Sequence, residues 1–120
     1  MIVAGIGFTS RATAASVASA LAATGGAPTR LATAAAKAEV LKTLVSTLNL
    51  PVSSIPPEDL AAQTTLTHSE ASSKSYKTGS VAEAAALAAA GPGARLLGPR
   101  VISDDRQATA ALAVSAGEDP

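Results

Sequence analysis

The apolar positions of this chain alternate between strand-like and helix-like spacing. "IVAGIG" (residues 2–7) is a short run of β-branched residues and glycine, the pattern of a buried strand. In "TAASVASALAAT" (13–24), Val17, Ala20 and Leu21 recur at helical spacing, and Gly25-Gly26 ends the run. "RLATA" (30–34) reads as a second strand. Over residues 36–48, Val40, Leu41, Leu44, Val45 and Leu48 form the stripe of an amphipathic helix, which Asn49 and Pro51 stop. "PVSSI" (51–55) predicts a third strand. "PPEDLAAQ" (56–63) then opens a helix with proline and places two acids in its first turn.

Residues 66–79 are polar and serine-rich, either a loop or a short exposed helix. The segment "KTGSVAEAAALAAAG" (77–91) is more sharply specified. Ser80 and Glu83 fit the capping-box spacing, in which the hydroxyl accepts a backbone N–H and the carboxylate reaches back. Gly91 and Pro92 end the helix that follows. "ARLLGPRVIS" (94–103) and "QATAALAVSA" (107–116), joined by Asp104-Asp105-Arg106, predict an antiparallel hairpin. The order β-α-β-α-β-α-α-β-β predicts a single three-layer α/β domain over 1–116. Its sheet should be mainly parallel with an antiparallel C-terminal edge hairpin, and residues 117–120 should form a flexible tail.

Composition changes this picture in three places. An aromatic share of only 2% means that the core must be built from Val, Leu, Ile and a great deal of Ala. Small side chains let the 81–90 helix lie close to the sheet, and alanine has the best helix propensity. Nine basic and nine acidic residues cancel, which argues against nucleic acid as a partner. The absence of Cys removes disulfides and thiolate chemistry, and His68 stands as the single histidine, so neither a metal site nor a cofactor is expected. Arg11 interrupts the N-terminal apolar run, so no signal peptide is expected. No apolar stretch is long enough to span a bilayer, which makes a cytoplasmic protein without a membrane partner the default. A short valine-containing edge strand leaves monomer and dimer both open.

In open parallel sheets, ligands bind beyond the carboxyl ends of the strands. Three loops are expected at that edge: Gly7–Arg11 after the first strand, Thr33–Lys37 after the second, and Lys77–Ser80 entering the alanine helix. The candidate ligand-binding residues are therefore Gly5, Gly7, Phe8, Thr9, Ser10, Arg11, Lys37, Thr78, Gly79 and Ser80. Arg11, Lys37 and Lys77 supply one cation to each loop, whereas Arg30 and Arg95 begin strands and belong at the far edge. Hydroxyls, free N–H groups and cations together suit an anionic ligand. Ser and Thr also cap helices, and both readings stand.

The dinucleotide fingerprint fails, because Ser10 replaces the third glycine and no acid follows the second strand. Three residues are candidates for acid–base work. Glu83 has the capping role as its alternative, Glu39 a favourable place on a helix dipole, and His68 a solvated loop. Ser10, Thr78 and Ser80 show no Ser-His-Asp arrangement. Phe8 and Tyr76 flank two of the loops, either stacking on a ligand or plugging the cleft edge.

"IVAGIGFTSRA", "LATAAAKAEVLKTLVSTLNLPV" and "TGSVAEAAALAAAGPGARLLGPR" resemble, in this order, the cobalamin-biosynthesis CobE family, whose domain also forms the C-terminal part of CbiG proteins. The resemblance runs from about residue 2 to residue 115, and T-G-S-V-A-E-A-A-A-L is its most specific piece. It implies a place in the middle of corrin-ring synthesis and a precorrin-type tetrapyrrole as ligand, with other corrin-pathway enzymes as further partners. In CbiG proteins it implies a cobalt-precorrin-5A hydrolase, which opens the ring A lactone and releases a two-carbon fragment. After Gly7 the family often has a basic pair and then Gly, where this chain has Phe8-Thr9-Ser10-Arg11. The CbiG N-terminal region is not expected beside this domain. Three readings follow: a protein that binds a precorrin and catalyses little or nothing alone, a true lactone hydrolase, or an α/β module for a small anionic ligand.

Overall fold

β1 (Ile2–Phe8) organises the sheet, because it pairs along its length on both sides. The computed structural model describes residues 1–76 and 78–117, with Ala71 and Ser75 described through their backbone alone. Parallel neighbours β2 (Arg30–Ala34) and β3 (Val52–Ile55) lie on one side of β1. On the other side β6 (Ala108–Val114) runs antiparallel to it, with Ile2 opposite Val114 and Phe8 opposite Ala108. β6 carries β4 (Arg95–Leu96) and β5 (Val101–Ile102), both antiparallel. The expected architecture holds: an α/β sheet parallel on one side, closed by an antiparallel hairpin at the edge. Within that hairpin β6 is the inner strand and the edge strand is broken. "ATAALAV" is apolar on both faces and so belongs inside a sheet, while Gly98-Pro99 cannot sustain a ladder.

Two cores follow from strand alternation. Ala4, Ile6, Leu31 and Leu112 face α1 (Ala14–Ala23) and α2 (Ala38–Leu44), where Val17, Ala20, Leu41 and Val45 complete the layer. Val3, Ala32, Ala34 and Ala113 face α5 (Val81–Ala90), together with Leu60 of α3 (Pro57–Ala61). α5 lies so close to the sheet that a Cβ at Gly5 would sit 1.8 Å from the Ala82 carbonyl oxygen and 2.6 Å from the Ala86 nitrogen. Gly5 is therefore packed beneath the alanine helix and is not among the residues that line the cleft at the carboxyl ends of β1 and β2.

Two elements differ from their sequence patterns, and a third resolves between its two readings. α2 is regular only over Ala38–Leu44, with 3₁₀ turns at Ala35–Lys37 and Ser46–Leu48. The tighter turn changes the period, so Leu48 leaves the stripe and is 42% exposed, while Val40 is 54% exposed. The segment expected as loop or short helix contains α4 (Glu70–Tyr76). Ser69 caps it: its Oγ accepts from the Ser72 N–H at 3.1 Å. At α5, Ser80 Oγ accepts the Glu83 N–H at 3.3 Å, as the capping box requires. The Glu83 carboxylate does not reach back to complete that box; it binds two other segments instead. A reciprocal box forms at α1, between Thr13 and Ser16. Of the expected flexible tail, residues 118–120 lie outside the described residues, as does Lys77.

Candidate functional site

The carboxyl ends of β1 and β2 open onto a cleft of about 370 Å³. All three loops expected at this edge reach it. The first contributes Gly7, Phe8 and Thr9, the second Thr33 and Lys37, and the mouth of α5 Ser80 and Val81. Thr33 Oγ1 donates to the Ile6 carbonyl at 2.7 Å, which fixes the end of β2 against β1. Thr9 is tied to Gln107 twice, through its N–H to the carbonyl (2.9 Å) and its hydroxyl to the side-chain amide oxygen (2.6 Å).

Lys37 is half-buried in this cleft. Its ammonium donates to the Phe8 carbonyl and lies 4.7 Å from the centroid of the Phe8 ring, within cation–π range. Burial holds its pKa below the ordinary lysine value. Phe8 thus supports a cation as well as bordering the cleft.

Two arginines that local pattern did not single out, Arg100 and Arg106, also line the cleft, together with Ser69, Ser72, Tyr76, Gln107, Ala108 and Thr109. Register explains them. Because Phe8 lies opposite Ala108, the turn that precedes β6 must sit where β1 ends. Arg106 adopts a left-handed backbone (φ 61°) that Asn or Gly would adopt more cheaply. Its turn is pinned by Asp105, which accepts from Ser103 Oγ (2.6 Å), the Gln107 N–H (3.1 Å) and Ser16 Oγ of α1. Those hydrogen bonds, Ser103 first, hold the Asp105 carboxyl below the usual carboxylate range.

The remaining candidates lie elsewhere. Ser10 and Arg11 are exposed and outside the cleft lining. Thr78 is buried, and among the described residues its Oγ1 has no hydrogen-bond partner. Gly79 is a close-approach position: a Cβ there would lie 2.4 Å from both His68 Nδ1 and Thr65 Oγ1. His68 is otherwise exposed, and Glu39 is exposed and paired with Lys42 at 3.1 Å. Glu83 is fully buried, its oxygens accepting from Leu66 N (2.6 Å), Thr67 N (2.9 Å), Thr67 Oγ1 (2.9 Å) and Arg100 N (2.8 Å). None of the three acid–base candidates lines the cleft. Arg30 and Arg95 pair opposite Val3 and Val114, at the far edge. Among the described residues no group of three or more His, Cys, Asp or Glu is placed to hold a metal ion, and no helix is long and apolar enough to cross a membrane.

The family model for the cobalamin synthesis G C-terminus matches residues 2–113. A crystal structure of CobE, described as a protein from the cobalamin (vitamin B12) biosynthetic pathway, superposes with a TM-score of 0.82. It is 31% identical, over 94% of this chain and 92% of its own. The cobalamin biosynthesis protein chiG from Agrobacterium tumefaciens strain C58 superposes with a TM-score of 0.72, at 33% identity over 96% and 98% of the two chains. No curated protein sequence matches. By sequence and by fold over nearly its whole length, the chain belongs to the cobalamin synthesis G C-terminus family and is a cobalamin-biosynthesis protein of the CobE/CbiG type.

Proposed function

We propose that the cleft binds a precorrin-type tetrapyrrole through its peripheral carboxylates, and that the protein hands this ligand to other corrin-pathway enzymes in the cytoplasm. The observation that carries the reading is the gathering of Lys37, Arg100 and Arg106 around one opening, among the hydroxyls of Thr9, Ser69, Ser72 and Ser80. Charge-assisted hydrogen bonds from such donors suit carboxylates, and arginine can hold one in bidentate fashion. Phe8, Val81 and Tyr76 give the same opening apolar surface against which the face of a macrocycle can lie. An open cleft admits one edge of a ring system wider than itself.

One observation favours lactone hydrolysis as a second reading. Burial lowers the pKa of Lys37, an amine among the lining residues, and so favours its neutral, basic form relative to an exposed lysine. Against it, Lys37 is engaged with Phe8, and among the described residues no Asp, Glu, His or Cys lines the cleft. Titration with uroporphyrin, a macrocycle fringed with acetates and propionates, tests the first reading. Saturable binding that weakens as salt is raised is expected. Incubation of purified protein with a lactone-bearing cobalt-precorrin should leave the lactone closed. Opening of the lactone by this chain alone would replace the carrier reading with the hydrolase.

A further inference from the structure

The carboxylate of Glu83 has no role in capping α5: Ser80 Oγ accepts the Glu83 N–H, and the carboxylate does not return to accept the Ser80 N–H. A carboxylate at 0% exposure is costly unless its oxygens are filled. Here they are filled by four donors from two segments distant in sequence. Oε1 takes the N–H groups of Leu66 and Thr67; Oε2 takes Thr67 Oγ1 and the Arg100 N–H. Both segments continue into walls of the cleft. Thr67 leads to Ser69, which lines it and caps α4, and Arg100 lines it directly. Arg100 lies just where the edge strand has left its ladder between β4 and β5, and the Glu83 carboxylate accepts its N–H there.

We propose that Glu83 is a positioning residue: from beneath the cleft it fixes the backbone of Arg100 and of the 66–69 segment, and thereby sets the Arg100 guanidinium at the mouth. The inference rests on the ligand reading above for its affinity readout, but its structural half does not. An ionised carboxylate offers only acceptors, and glutamine must present an NH₂ on one side. Turned toward Leu66 and Thr67, that NH₂ would face two N–H groups. Turned toward Oε2's partners it faces one, since the Thr67 hydroxyl can reverse and accept. Glu83→Gln therefore releases Arg100 selectively.

The test is a double-mutant cycle with uroporphyrin as probe, joined to amide hydrogen exchange of the ligand-free protein. Glu83→Gln and Arg100→Ala should each weaken binding by about ten-fold. The double variant should bind within about two-fold of Arg100→Ala, because Glu83 acts through Arg100. With Arg106→Ala, whose turn is held by Asp105, the losses should multiply. Full loss from Glu83→Gln in the Arg100→Ala background overturns the proposal, as does equal non-additivity with Arg106→Ala. In exchange, Glu83→Gln should deprotect the Arg100 N–H and leave the Thr67 N–H protected. Should the wild type take up no uroporphyrin, the ligand reading fails and exchange alone decides. An Arg100 N–H equally protected in wild type and Glu83→Gln overturns the positioning role.

Discussion

On one face of the sheet, Ile6, Leu31, Val17 and Leu41 fill the space beneath α1 and α2 with branched side chains. On the other, Gly5 lets the backbone of α5 rest against β1, and the helix itself buries mainly alanine there, Ala84, Ala85 and Ala86 among them, beside Val3, Ile55 and Leu60. The first face is held by side chains that can shift into neighbouring rotamers. The second is held by backbone atoms that cannot. The consequence is functional, because the tight face fixes where the N-terminus of α5 lies. Ser80 and Val81 reach the cleft at that end, and Glu83 reaches its supports one turn further in.

The sharpest way to break this contrast is Gly5→Ala. The added methyl meets a carbonyl oxygen and an amide nitrogen of the helix backbone, so destabilisation of at least about 3 kcal/mol is expected in urea denaturation. A cost under about 1 kcal/mol would show that α5 is free to move and that the two faces are alike. On the branched face, Leu41→Ala should cost about 2–5 kcal/mol and Leu41→Met less than about 1.5 kcal/mol. If the methionine cost as much as the alanine, that face would be as intolerant as its opposite.

Lys37 sharpens the comparison at the cleft. Its folded-state pKa is lowered, so between that value and the ordinary lysine value the unfolded chain holds a proton that the folded chain does not. Stability should therefore rise with pH across that window, and Lys37→Met should remove the rise. A carboxylate ligand would restore the charged form, so affinity should fall as pH rises through the pKa of the free protein. pH-independent affinity over that range would remove Lys37 from the binding surface. The smallest effect concerns Arg106, whose left-handed backbone suits asparagine better. Arg106→Asn should raise stability by up to about 1 kcal/mol and still weaken uroporphyrin binding. A gain of both would show that the arginine serves the turn alone.

Much of the architecture could be read locally. The strands at 2–7, 30–34 and 51–55 and the helix at 81–90 each carry their own period and stop signals, and parallel-sheet logic brings Gly7, Lys37 and Ser80 to one edge. What local pattern does not encode is which strands become neighbours. Arg100 and Arg106 enter the cleft because β6 pairs with β1 across about a hundred residues of chain, a contact with no local signature. Glu83 shows a second limit. S-x-x-E reads the same whether the acid folds back on its helix or leaves it to hold another segment. Gly5 and Gly79 show a third. Each looks like a ligand-loop glycine in sequence, and each is required by a close approach from another segment, α5 at Gly5 and the Thr65–His68 stretch at Gly79.

If the cleft is the ligand site, the edge carrying Lys37, Arg100 and Arg106 should bind a carboxylate-fringed macrocycle and the opposite edge should not. The most direct measurement is uroporphyrin titration of the wild type beside Lys37→Ala, Arg100→Ala and Arg95→Ala. Saturable wild-type binding is expected, with a loss of about 1–3 kcal/mol of affinity for each of the first two variants and little change for Arg95→Ala at the far edge. Absence of saturable wild-type binding, or equal losses from Arg95→Ala and Arg100→Ala, would contradict it.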